Sequence, residues 1–136
     1  MTPKPMPTPD TTYQYIDPTI LFNLAADDID LFRMLAATYR DMTPAILWRL
    51  QNALLAVDRE SISHECHSLR GATSLIGAAA LTDMLLSIER HCRSDPPAPL
   101  PPYGTPLATL FDMTLQEVEF SITHFRRSTT SPSGKC

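Results

Sequence analysis

The sequence predicts an all-α protein, an up-and-down four-helix bundle with a short additional N-terminal helix. Three observations predict it. Apolar residues recur at threes, fours and sevens along four long stretches, with no strand-like alternation and no internal repeat. Aspartates, prolines and a glycine stand where such helices must begin and end. The chain has 136 residues, 43% of them hydrophobic, which is enough to bury one core and makes a second domain unexpected.

The elements follow in order. Residues 1–16 read as a Pro/Thr-rich linker, with four prolines between Met1 and Pro9 and little that could join a core. Asp17-Pro18 starts a short helix to about Ala25: the carboxylate caps free amides, and proline is harmless at the first helical position. Asp27 or Asp28 caps a longer helix, whose stripe is Phe32, Leu35, Tyr39, Ile46, Leu50, Ala53 and Val57. Pro44 interrupts it, because it cannot donate to the Arg40 carbonyl. Two helices or one kinked helix both fit, and the apolar phase running from Tyr39 to Ile46 favours one.

The third helix spans about Arg59 to Ile76, with Ile62, Cys66, Leu69, Thr73 and Ile76 on one stripe and Gly77 placed to end it. A fourth, from about Ala79 to Arg93, carries Leu81, Leu85, Ile88 and Cys92. Six prolines between Pro96 and Pro106 mark a loop. The last helix, about Pro106 to Arg127, shows Leu107, Phe111, Leu115, Val118, Ile122 and Phe125. The bundle domain is therefore expected over 17–127, with 128–136 a flexible tail.

Charge and cysteine content exclude several classes. With 11 basic and 15 acidic residues the net charge is -4, so no electrostatic footprint for nucleic acid exists. Cys66, Cys92 and Cys136 form no disulfide framework, which fits a reducing, cytoplasmic compartment. No apolar run approaches the roughly 20 residues that span a bilayer, although a longer, membrane-bound parent would be compatible with the sequence.

The chemistry concentrates on the third helix. His67 has Ser63 and His64 one turn below, Arg70 and Gly71 one turn above, and Ser74 two turns above. None of these lies on the apolar stripe, so the imidazole stands at its edge, open to a partner. A glycine inside an exposed helix costs roughly 1 kcal/mol against alanine, and Gly71 needs a reason to be there.

The run Cys66-His67-Ser68-Leu69-Arg70-Gly71-Ala72-Thr73, ahead of Leu75-Ile76-Gly77-Ala78 and Leu81, resembles the active helix of histidine-containing phosphotransfer domains. Those domains carry a histidine, then a leucine two places on, a basic residue three on, a glycine four on and a second glycine-alanine ten and eleven on. Every one of these positions is filled here, and Glu89 extends the match. The family's commoner lysine is Arg70 here, and its usual small alanine is Cys66. Arginine keeps the charge and bonds two oxygens; Cys66 packs as a small apolar group.

The resemblance implies that His67 is phosphorylated, taking the phosphoryl group from a receiver-domain aspartate and passing it to another in a two-component phosphorelay. Imidazole, with an ordinary pKa of about 6.5, is largely neutral and nucleophilic near neutral pH. Arg70 would pair with phosphoryl oxygens, and Gly71 would leave room for the incoming domain. The partners implied are receiver domains of a hybrid sensor kinase, of which this chain would be the C-terminal domain, and of a response regulator. No cofactor is expected in this chain; Mg2+ would sit in the receiver. Which imidazole nitrogen takes the phosphoryl group stays open.

Three competing readings are weaker. His64-Glu65 resembles the start of the dimerisation helix of sensor kinases, but the proline expected five places after the histidine is Leu69, and no glycine-rich ATP-binding segment exists, so no autokinase activity is expected. A metal site from His64, His67, His91 and Cys92 lacks the spacing of zinc sites, and no metal is expected. A passive helical module that binds a receiver without chemistry would not need His67, Arg70 and Gly71 together. One self-contained set of stripes predicts a monomer.

Overall fold

The first three helices each begin on an aspartate whose carboxylate caps free amides. The computed structural model describes residues 13–94 and 100–125. Helix α1 runs Pro18–Leu24, α2 Ile29–Ala56, α3 Arg59–Leu75, α4 Ala79–Cys92 and α5 Gly104–His124. Among the described residues there is no strand. Asp17 caps α1 by accepting from the Thr19 amide at 3.1 Å and its hydroxyl at 2.6 Å. Of the two candidate caps for α2 it is Asp28 that serves, accepting from the amides of Asp30 and Leu31. Asp58 does the same for α3, through the Ser61 amide and hydroxyl, and these bonds hold its carboxyl below the usual range.

Helix α2 is continuous through Pro44. Its stripe differs from the expected one at three places. Ile46 is only half-buried, with Thr43 facing inward beside it. Leu35 is exposed and Ala36 takes the inner position; Val57 is also exposed and ends the helix in the left-handed region at φ 52°. The reason is the two-residue connection to α3. Asp58 must already cap the next helix, so the whole reversal falls on Val57, a β-branched residue in a conformation it rarely adopts.

The helices run up and down. Tyr39 meets Thr73 and Arg49 meets Glu65 between α2 and α3; Arg59 meets the His91 carbonyl and Arg70 meets Glu89 between α3 and α4; Arg33 meets the Ile122 carbonyl and Arg40 meets Glu119 between α2 and α5. In each pair of helices one partner's number falls as the other's rises, so the neighbours are antiparallel. The core lies where the stripes meet, at Phe32, Leu50, Ile62, Leu69, Leu81, Leu85, Ile88, Leu107 and Val118. On α5 the expected Leu115 and Ile122 are only half-buried, and the adjoining Thr114 and Ser121 face inward. Their hydroxyls bond the Leu110 and Val118 carbonyls at 2.8 and 2.7 Å, which removes the penalty of burying them.

The glycine-alanine pair after α3 is a helix stop. The Gly77 amide bonds the Ser74 carbonyl and the Ala78 amide bonds the Thr73 carbonyl, a Schellman pattern with Gly77 at φ 71°. The Asp17 amide then docks on the Ile76 carbonyl at 3.1 Å, and a Cβ on Gly77 would lie 2.7 Å from the Asp17 Cβ. Glu117 of α5 holds the preceding stretch, accepting from the amides of Gln14, Tyr15 and Ile16 at 2.8–3.1 Å. Residues 1–12, 95–99 and 126–136, which include most of the expected linker, half of the loop prolines and the expected tail, lie outside the described residues.

Candidate functional site

Helix α3 buries Ile62, Cys66, Leu69 and Thr73 completely and turns its next-door residues outward. The His67 side chain is 76% exposed as a result, one position past the buried Cys66. Its Nδ1 points back toward α4. Arg70 Nη2 lies 3.2 Å from that nitrogen, and Glu89 Oε2 lies 3.9 Å from it. Nε2 has no hydrogen-bond partner among the described residues.

Glu89 is the residue that stripe reading passed over. The apolar stripe Leu81, Leu85, Ile88 and Cys92 places position 89 on the same face of α4, and Glu89 is only 1% exposed. An ionised carboxylate there needs a partner. Arg70 supplies it across the α3–α4 interface, with Nε 2.6 Å from Oε1. A charged residue in core register, within a match to the motif, was the available signal. Arg70 therefore braces α4 and faces His67, and is not the free surface cation that its position alone suggests.

The other expected site residues are placed as follows. Gly71 is exposed, and an added Cβ would meet nothing within 4 Å. Ser74 is exposed, but its hydroxyl donates to the Gly71 carbonyl at 2.9 Å. His64 is exposed and Ser63 half-buried; neither bonds to His67. Glu65 is turned toward α2, where Arg49 holds it at 3.1 Å. Burial pushes the Cys66 thiol up to about 12, with the Glu89 charge adding to the effect.

His91 belongs to a separate cluster at the end of α4. Its Nδ1 lies 3.0 Å from the Ser87 carbonyl and 2.8 Å from the Tyr103 hydroxyl, while Arg59 and Ser94 donate to its carbonyl. Among the described residues no group of three or more His, Cys, Asp or Glu side chains is arranged to hold a metal ion.

The Hpt domain family model matches residues 34–119, from within α2 through most of α5. The chain belongs to the Hpt domain family. Histidine phosphotransfer in a phosphorelay is accordingly its function, and receiver domains are the class of partner that Hpt domains engage. The fold agrees with that of histidine-containing phosphotransfer protein B (HptB) from Pseudomonas aeruginosa PAO1: at 22% identity the TM-score is 0.72, over 85% of this chain and 100% of the other. No curated protein sequence matches the chain significantly. Among the described residues no helix is long and apolar enough to cross a membrane.

Proposed function

We propose that His67 carries the phosphoryl group and that Nε2 is the reacting nitrogen. One observation carries the reading. An exposed imidazole turns Nδ1 toward a buried carboxylate and leaves Nε2 facing outward, 76% of the side chain being accessible. Attack through Nε2 requires a neutral ring with its proton on Nδ1. Nδ1 faces the Arg70 guanidinium at 3.2 Å, which can only donate, so the Nδ1–H form arises when Arg70 Nη2 turns away and Glu89 Oε2, 3.9 Å off, closes to accept the proton.

The step then balances simply. The Nε2 lone pair attacks the phosphorus of a receiver's aspartyl phosphate, the bond from phosphorus to the aspartate oxygen breaks, and the carboxylate leaves with the electron pair. Transfer onward is the reverse, to the aspartate of a second receiver. Arg70, with Nε kept on Glu89, turns Nη2 from Nδ1 to a phosphoryl oxygen and offsets the two charges the group brings. Gly71, one turn above, keeps the approach open.

Mg2+ belongs to the receiver, which supplies the acidic pocket, and this chain works without a metal or nucleotide of its own. The donor is the receiver of a hybrid sensor kinase and the recipient that of a response regulator, both in the cytoplasm. The chain acts as a monomer over the bundle 17–127, its thermal stability indifferent to chelators. Labelled phosphoryl transfer from a phosphorylated receiver tests the acceptor: His67→Gln abolishes uptake with helicity intact, and His64→Gln does not. The label is lost in acid and kept in base, as a phosphoramidate requires. Acid-stable label, or label retained in His67→Gln, overturns the assignment.

A further inference from the structure

We infer that Arg93 is a positioning residue for phosphotransfer, competing with His67 for the second oxygen of Glu89. The inference rests on the reading of His67 as the acceptor. The two oxygens of Glu89 are held very differently. Oε1 has Arg70 Nε at 2.6 Å, whereas Oε2 lies between His67 Nδ1 at 3.9 Å and Arg93 Nη2 at 4.0 Å. Both of the longer distances exceed a hydrogen bond, so the oxygen is shared and committed to neither.

Arg93 is built to be a reversible competitor. It caps the C-terminus of α4, one turn beyond Glu89, and its side chain is 64% exposed, so no packing fixes it. Arg70, on the other oxygen, is 30% exposed and anchored. When Arg93 closes on Oε2, its charge cancels part of the field that draws the proton of His67 onto Nδ1. When it swings into water, or toward an acidic receiver surface, Oε2 is released to accept from Nδ1, and Nε2 becomes the free nucleophile. A docking partner that attracts Arg93 thus primes the histidine it is about to react with.

The groups around this carboxylate are few. From α3 come His67, Arg70 and the Cys66 thiol, and from α4 come Arg93 and the Cys92 thiol; Tyr103, just before α5, bonds His91 instead. Both thiols are raised by burial and stay neutral through the range in which an imidazole titrates. Over that range the balance at Oε2 therefore lies between His67 and Arg93.

The test is a titration of the His67 ring by nitrogen-15 NMR, beside the pH profile of phosphoryl uptake, in the full chain and in Arg93→Ala and Arg93→Lys. Removing one unit charge no more than ~8 Å away in a water-like dielectric moves a titration by roughly 0.4 pH unit. Arg93→Ala should move both the ring midpoint and the acid limb of uptake upward by about that amount and raise the Nδ1–H tautomer fraction. Arg93→Lys, which keeps the charge, should restore both, and in a Glu89→Gln background Arg93→Ala should leave the tautomer fraction unchanged, the midpoint keeping only the direct charge effect of that size. Superimposable ring titrations, or a lysine variant displaced as far as the alanine one, overturn the inference. Label that survives His67→Gln removes the acceptor reading by itself, while the ring titration still decides whether Arg93 competes for Oε2.

Discussion

Arg70 Nε lies 2.6 Å from Oε1 of Glu89, and this pair ties the reactive edge of α3 to the interior of α4. Glu89 is buried while Arg70 keeps part of its surface in water, so the two ends differ in what their removal leaves behind. Arg70→Ala strands a buried carboxylate with one distant cation, Arg93, and the neutral His67 ring, whereas Glu89→Gln leaves a guanidinium that reaches solvent. Breaking a buried pair from one side costs about 3–5 kcal/mol. Arg70→Ala should approach the lower end of that range in urea denaturation and Glu89→Gln should cost less. Equal and negligible losses would show that the pair does not brace the bundle.

At Gly77 the constraint is double, from the backbone and from space. A Cβ there meets Asp17 at 2.7–2.9 Å on three atoms, two of them backbone, and the residue sits at φ 71°. Gly77→Ala should lose more than about 1–2 kcal/mol, the cost of the left-handed conformation alone, because α1 must also shift away. Thermal melts check the loss, and amide exchange should show the Asp17–Ile76 bond opening first. A variant as stable as the parent would refute the close approach.

Much of this was legible in the sequence, and the exceptions share a cause. Helix count, the cap at Asp17, continuity through Pro44, the fully buried stripe on α3 and the family itself could be read from spacing and motif, because periodicity and capping are local. What escaped depends on a neighbour in space. Leu35 and Val57 carried the right residue type, but the two-residue α2–α3 connection and the fit of Ala36 decided otherwise. Thr114 and Ser121 are polar, yet bonds to their own helix let them replace Leu115 and Ile122 inside. Glu89 could be placed in the motif, but that it is buried and paired with Arg70 follows only from how α3 crosses α4.

Cys66 gives the alkaline limit of stability a specific origin. Its folded value is pushed from 9.0 up to about 12 by burial, and burial likewise raises Tyr39 from 10.0 to about 12. For groups raised in the folded state the contribution is fully present below the unfolded value and disappears as pH climbs to the folded one. Stability should thus hold to about pH 9 and fall between about 9 and 12. Cys66→Ala should flatten the first part of that decline. Iodoacetamide at pH 8, followed by mass spectrometry, should modify the half-buried Cys92 well before Cys66; the opposite order would place Cys66 at the surface.

Gly71 separates docking from stability, since a side chain at this position meets only open space in the free protein. Helix propensity alone then sets the folding consequence: Gly71→Ala should gain up to about 1 kcal/mol, and Gly71→Gln nearly as much. Neither variant disturbs Arg70, Glu89 or the His67 ring. A receiver approaching Nε2, however, must pass close to the turn that carries position 71, so the glutamine should obstruct it. Binding titrations and single-turnover transfer should therefore show Gly71→Gln weakened in association and slowed in both directions, with its melting temperature at or above the parent's. The dissociation between a stabilised fold and a crippled transfer is the expected signature. If Gly71→Gln binds and transfers like the parent, the receiver does not approach across this turn, and the docking face must lie elsewhere around His67.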